Sequence, residues 1–218
     1  MLLAIHPKNP QERLIDEAVA CLRAGGVIIY PTDTMYGLGC DIHNKKAVAR
    51  ICQIKGIDPE KAHLSCVCED LSVIGQYASR VPTPVYKLMK SAFPGPYTFI
   101  LQASKNIPRH FQHKKTVGIR VVSHPVALRM LKLLEHPIAS ISLPQDDAGA
   151  EFHTQPELIH ERYGHLVDLV IDSGPGRLEP STIIDCSRGE DEITVVRMGS
   201  GALEPLGMEL AIAEDDAY

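Results

Sequence analysis

Several short stretches bring together hydroxyls, a carboxylate and cations in patterns able to hold a small anionic molecule. In Tyr30-Pro-Thr-Asp-Thr-Met-Tyr-Gly-Leu-Gly39, the hydroxyls of Thr32, Thr34 and Tyr36 flank Asp33. Gly37 and Gly39 follow, where the backbone can admit a ligand or another strand. A strand that delivers hydroxyls and glycines at its end builds a small-molecule site; a plain strand, turn and strand is the other reading of the same residues. Arg120 sits inside Val117-Gly-Ile-Arg-Val121 among apolar neighbours. A buried guanidinium there needs a partner, either a substrate carboxylate or phosphate or an internal Asp or Glu. Ser181 and Thr182 can offer hydroxyls and backbone N–H groups to phosphate oxygens or act as turn residues. Arg197 carries charge that can neutralise a phosphate, and Lys55 ends a helical run where it complements the helix dipole.

The motifs that are missing narrow the chemistry. There is no Walker loop, no Gly-x-Gly-x-x-Gly before a helix, no His-Glu-x-x-His and no Gly-x-Ser-x-Gly. The adjacent carboxylates Asp146-Asp147 lie in an Ala/Gly-rich loop and suggest a solvated turn, and the ten histidines show no ligand spacing. No metal site is expected. Six cysteines (21, 40, 52, 66, 68 and 186) form no Cys-x-x-Cys and suggest reduced, mostly buried thiols of a cytoplasmic protein. No apolar run reaches membrane-span length, and the N-terminus lacks the pattern of a signal peptide.

Charge is unevenly placed. The net charge is −5, yet residues 71–134 hold no Asp or Glu and ten Lys or Arg. Such asymmetry suggests a phosphate-bearing partner, nucleotide or nucleic acid, unless acidic neighbours cancel it in space.

The elements that must position these groups alternate. Asn9-Pro10 is expected to open a helix with Leu14, Ile15, Ala18, Val19 and Leu22 on one face, ended by Gly25-Gly26. Strands are expected at 27–30, 64–68, 97–103, 117–121, 137–142, 166–171, 181–185 and 193–197. Helices are expected at 44–55, 71–78, 84–92, 124–134 and 157–163. This alternation argues for one α/β domain with a mixed sheet.

Pro31-Thr-Asp-Thr-Met-Tyr-Gly-Leu-Gly39 also resembles the signature near the N-terminus of the YrdC/YciO family, whose members include enzymes that make threonylcarbamoyl-AMP for tRNA modification. Phe93-Pro-Gly-Pro-Tyr-Thr-Phe-Ile-Leu101 is similar to that family's turn into a central strand. Gly118-Ile-Arg-Val-Val-Ser-His-Pro125 is similar to its strand with a ligand-facing arginine. Pro180-Ser-Thr-Ile-Ile-Asp185 and Val196-Arg-Met-Gly199 are similar to its nucleotide-side pair. In order and spacing these stretches span most of residues 10–200, and the pattern is most similar to the YciO branch.

The resemblance implies a single YrdC-like α/β domain over residues 1–205, with a twisted mixed sheet, helices outside and a concave basic cavity, then an acidic C-terminal tail at 206–218. It implies L-threonylcarbamoyladenylate synthesis, a nucleotidyltransferase-type reaction of ATP, L-threonine and bicarbonate that releases pyrophosphate. ATP would be a substrate with Mg2+, with no tightly bound cofactor. By position, Lys55 and Arg120 would be catalytic; Thr34, Tyr36 and Ser142 would bind substrate; Ser181, Thr182 and Arg197 would bind the nucleotide. Two departures stand against full activity: Ile57 occupies the position of a family arginine, and Leu143-Pro144 follow Ser142 where the family has an asparagine. Lys61 and Arg177 are candidates to supply the lost cation. Two other functions stay open: a double-stranded RNA or tRNA binder using Lys105, Arg109, Lys114 and Lys115, or a nucleotide-binding protein without turnover.

Overall fold

The computed structural model describes residues 1–111, 115–144, 149–190, 192–207 and 211–212. Asp146-Asp147, Lys114 and most of the expected acidic tail lie outside them. Strands run at Leu2–Ala4 (β1), Val27–Tyr30 (β2), Gly37–Asp41 (β3), Ser65–Cys68 (β4), Tyr97–Gln102 (β5) and Thr116–Val121 (β6). They continue at Ile138–Ser142 (β7), Leu169–Asp172 (β8), Thr182–Asp185 (β9), Thr194–Arg197 (β10) and Ala211–Ile212 (β11). Helices are Glu12–Arg23 (α1), Lys45–Lys55 (α2), Ile74–Tyr77 (α3), Thr83–Ala92 (α4), Pro125–Leu134 (α5), Glu151–Thr154 (α6) and Pro156–Tyr163 (α7).

Among the described residues, all the strands join one mixed sheet in the order β1-β8-β2-β3-β7-β4-β6-β5-β9-β10-β11. Part of the stretch expected as a tail is thus a strand, since β11 pairs in parallel with β10. The expected α/β class and mixed sheet are what the chain adopts.

Alternation along each strand divides the core. Val27 and Ile29 of β2 lie in the core on the α2 side of the sheet, with Ala47 and Ile51 of α2. Ile28 and Tyr30 turn the other way, onto α1 and α5 through Ile15, Val19, Val126 and Met130. A strand buried on both faces must be apolar throughout, which explains the unbroken run Val27-Ile28-Ile29. Each fully buried aliphatic side chain of this kind contributes about 1.5–3 kcal/mol.

One helix start differs from expectation. Helix α1 begins at Glu12 with Gln11, not Asn9, at its N-cap. The cause is His6, whose Nδ1 accepts the amides of Lys8 and Asn9 at 3.2 and 3.0 Å, so residues 6–9 form a separate turn. By contrast, α2 is capped as its sequence suggests: Asn44 Oδ1 accepts the Ala47 amide and Gly56 closes the end in the left-handed region.

Helices α1 and α5 cover only part of their face of the sheet. Beyond them, that face carries small and hydroxyl side chains. Gly39 pairs with Ser140, Ser140 with Ser65, and Ser65 with Gly118, a row across four neighbouring strands. Where other sheets carry Val or Leu, this row leaves a concavity.

Candidate functional site

The concavity is a cavity of about 100 Å³ whose lining includes Thr32, Thr34, Tyr36, His63, Ser65, Thr98, Arg120, Ser140, Ser142, Ser181 and Arg197. Most of these are hydroxyls or cations, beside the apolar Met35, Val67, Ile141, Pro180 and Ile183, and among the described residues no Asp or Glu lines the cavity.

Arg120 anchors it. In β6, Val117, Ile119 and Val121 face the core shared with α2 and α4, which sends Arg120 to the opposite face. Its Nη2 donates to Asp33 Oδ1 at 2.6 Å and to Thr34 Oγ1 at 2.6 Å, with Thr32 Oγ1 at 3.3 Å. The Arg120 and Asp33 side chains are only 12% and 9% exposed. The internal carboxylate, one of the two partners the sequence allowed, is the one present. It leaves Arg120 Nε and Asp33 Oδ2 buried without a hydrogen-bond partner. The cavity expected to be basic is therefore hydroxyl-rich, with one of its two guanidiniums already matched by a carboxylate.

The loop between β2 and β3 is built to hold that arginine. Thr32 donates its hydroxyl to Met35 O at 2.8 Å and accepts the Thr34 amide at 3.1 Å. The Thr34 hydroxyl proton then falls to Thr32 Oγ1, 3.1 Å away, while its oxygen accepts from Arg120. Thr34 is buried, with both hydroxyl roles filled inside the protein. Tyr36 is tied down as well, donating to Gly174 O at 2.7 Å and accepting the Ser173 amide. Burial raises its phenol well above the ordinary value. Gly39 has a packing reason: a Cβ there would lie 2.7 Å from the Tyr30 ring and 2.8 Å from Ile138. Tyr30 itself donates to Ser140 Oγ at 2.9 Å, and burial pushes its phenol up to about 12.

On the opposite wall, Arg197 donates through Nε and Nη2 to Ser181 O at 3.2 and 2.9 Å. Desolvation, then the like charge of Arg120, holds Arg197 below its ordinary value. The like charge beside Arg197 favours an anion placed near both guanidiniums. Ser181 Oγ lies 2.9 Å from Thr98 Oγ1 on the same wall.

Other expected site residues are placed differently. Lys55 Nζ donates to Ser142 O at 3.0 Å and Leu143 O at 2.9 Å, with Ser142 Oγ at 3.4 Å, and is not among the lining residues. Burial, then the nearby Arg197, lowers its pKa. Thr182 is fully buried; its hydroxyl donates to Gly201 O and its amide to Pro96 O. Lys105, Arg109 and Lys115 are exposed around the β5–β6 connection, outside the cavity. Lys61 does not line it, and Arg177 lines a different cavity.

His63, Ser65, Thr98 and Ser140 were not expected at the site. The signal for three of them is period-two: Ser65 alternates with Cys66 and Cys68, Ser140 with Ala139 and Ile141, and Thr98 with Tyr97 and Phe99. Hydroxyls at every second position of an apolar strand mark a polar sheet face.

The family model Sua5_yciO_yrdC, described as "Telomere recombination", matches residues 20–199. The chain belongs to the Sua5/YciO/YrdC family. It is 44% identical over 204 residues to the YciO protein of Escherichia coli (strain K12), covering 92% of this chain and 96% of that one. The crystal structure of E. coli YciO superposes with a TM-score of 0.84 at 42% identity, over 94% of this chain and 98% of YciO. A threonylcarbamoyl-AMP synthase of Halorhodospira halophila is 32% identical over 179 residues, 82% of this chain and 92% of the synthase. The crystal structure of P. abyssi Sua5 complexed with L-threonine matches with a TM-score of 0.85 at 27% identity, over 98% of this chain and 62% of Sua5. The family therefore includes threonylcarbamoyl-AMP synthases, at lower identity than YciO. Among the described residues, no helix is long and apolar enough to cross a membrane.

Proposed function

We propose that this YciO-like chain binds ATP and L-threonine in the hydroxyl-lined cavity and carries out threonylcarbamoyl-AMP synthesis. The observation that carries this reading is the presence of Arg120 and Arg197 in one cavity together with the hydroxyls of Ser65, Thr98, Ser142 and Ser181. In the reaction, the threonine amine and bicarbonate form a carbamate with loss of water. A carbamate oxygen then attacks the α-phosphorus of ATP and the bond to the pyrophosphate leaving group breaks. Such a transfer is catalysed mainly by positioning and by stabilising phosphate charge. Arg197, fixed by the Ser181 carbonyl, would face the phosphates, and Arg120, fixed by Asp33 and Thr34, would face the carboxylate or carbamate. Mg2+ would enter as the nucleotide's own counter-ion.

Lys55 favours a second reading, nucleotide binding without turnover. Its ammonium is spent on two carbonyls, and Ile57 supplies no replacement. Loss of one transition-state cation lowers a rate by about 100-fold or more. The test is pyrophosphate release with and without L-threonine, alongside calorimetric ATP binding, for wild type and Arg197→Ala. Threonine-dependent release that falls with ATP affinity in the variant supports synthesis. ATP binding with no threonine-dependent release supports the second reading, and absence of ATP binding overturns both.

A further inference from the structure

The cavity that holds Arg120 and Arg197 is also bordered by a group that can gain and lose charge near neutral pH. His63 lies in the segment between α2 and β4 and is exposed. Ala62 and Leu64, on either side of it, are buried in the core, which fixes the segment and leaves the imidazole at the cavity. Ile57, earlier in the same segment, carries no charge where the family has an arginine, and Lys61 does not reach the lining.

The position of His63 along the cavity is informative. A smaller cavity of about 60 Å³ adjoins the first, and its walls are mostly apolar, with Leu64, Ile100, Ile107, Phe111 and Val117 among them. His63, Ser65, Thr98 and Ile183 border both cavities and so mark the junction. A nucleotide is charged at one end and carries a flat, weakly polar base at the other. Laid across the two cavities, its outer phosphates would lie toward the arginines and its base toward the apolar walls. Its α-phosphate would then lie at the junction. Of the four junction residues only His63 can carry positive charge; Ser65 and Thr98 can add hydroxyl donors.

We propose that His63, as an imidazolium, donates to the α-phosphate of the bound nucleotide and makes nucleotide affinity rise as pH falls through neutrality. This rests on the nucleotide reading of the cavity and holds with or without turnover. An imidazole ordinarily titrates at about 6.5, so at neutral pH it is charged only in part. A phosphate beside it favours the charged form, and a proton is taken from solvent as the nucleotide binds. Other charged groups surround this position. Arg120, paired with Asp33, and Arg197 share the cavity, and Lys55 lies close to Arg197 on backbone carbonyls. On the same segment as His63, Asp58, Glu60 and Lys61 are exposed; Asp58 and Glu60 border a different cavity, as does His110 of the 109–111 turn. Arg109 of that turn is exposed. These groups set the charge state of the empty cavity, and the bound phosphates supply the added negative charge that draws in the proton.

Calorimetric binding of α,β-methylene-ATP with Mg2+ tests this, because its α–β bridge resists cleavage and binding is read without turnover. Between pH 8 and pH 6, wild type should gain at least fivefold more affinity than His63→Gln; comparing the two cancels the ligand's own titration. At pH 7 the heat should depend on the ionisation heat of the buffer in wild type, the mark of proton uptake, and lose that dependence in His63→Gln. His63→Lys, a permanent cation, should bind at least fivefold tighter than His63→Gln at pH 8. Lys61→Gln, a charge change on the same segment outside the cavity lining, should keep the wild-type profile. A profile that survives His63→Gln overturns the proposal. So does His63→Lys binding no better than His63→Gln, the pattern of a residue that only supports the loop. In both cases wild type still binds nucleotide and the nucleotide reading stands, whereas no binding by wild type at any pH overturns both.

Discussion

The Arg120–Asp33 pair can be weighed by a double-mutant cycle. The two side chains meet at 2.6 Å with 12% and 9% of their surface exposed, and Thr34 adds a second bond to the same nitrogen. Removing one member of such a buried pair leaves the other charge uncompensated and costs about 3–5 kcal/mol. Arg120→Met leaves the Asp33 carboxylate stranded; Asp33→Asn leaves the guanidinium stranded. Removing both leaves neither charge, so the double variant should cost less than the sum of the singles, with a coupling of about 2 kcal/mol or more. Against a total stability of about 5–15 kcal/mol, either single change is a large fraction. In urea, with a slope of about 2 kcal/mol/M, a 4 kcal/mol loss moves the midpoint down by about 2 M. Far-UV circular dichroism at pH 7 is the readout. A coupling under about 0.5 kcal/mol, within the error of independent sites, would refute the pair as a structural clamp.

Three further outcomes follow from packing and burial. Gly39→Ala should destabilise the fold by about 1–3 kcal/mol, because the new methyl meets the Tyr30 ring and Ile138 under 3 Å; an unchanged urea midpoint would contradict that packing. His43 and His124 are both pulled below the ordinary 6.5, in each case first by burial; His136 adds to the effect at His43. The unfolded chain then binds protons more readily at these sites, so stability is full above about pH 6.5 and declines as pH falls below it. Replacing both with Gln should flatten that decline, and an unaltered slope between pH 7 and 5 would show that neither histidine causes it. Cys40, Cys52, Cys66, Cys68 and Cys186 are buried, and burial raises the Cys68 and Cys186 thiols to about 12. A thiol reagent at pH 8 should therefore reach at most Cys21 before denaturation and all six cysteines after it; fast labelling of two or more in the native protein would contradict this.

The parts of the fold legible from sequence were those with strong periodicity. The apolar stripes of α1 and α2 are the buried faces observed, whereas the cap suggested at Asn9 is replaced by Gln11. The short strands β1, β3 and β11 and the helix α6 carried no such signal: β3 is rich in glycine, and the others span four residues or fewer. At the site, Arg120 stood out because a guanidinium in an apolar strand needs a partner. That the partner was Asp33 could not be read, because it depends on the β2–β3 loop reaching β6, which is four strands from β2 in the sheet. Lys55 and Thr182 looked like ligand groups by position, yet each is spent on backbone carbonyls that are distant in sequence. The hydroxyl row through Ser65 and Ser140 is a product of strand register, which period-two alternation suggests only within each strand separately.

Threonylcarbamoyl-AMP synthesis is the activity proposed for the cavity holding Arg120 and Arg197. Its most direct test is mass spectrometry of the products formed from ATP, L-threonine and 13C-labelled bicarbonate with Mg2+. Wild type should yield an adenylate carrying both the threonine and the labelled carbon, and Arg197→Ala should lose it. An intact ATP pool, or AMP with no labelled threonine adduct, would contradict it.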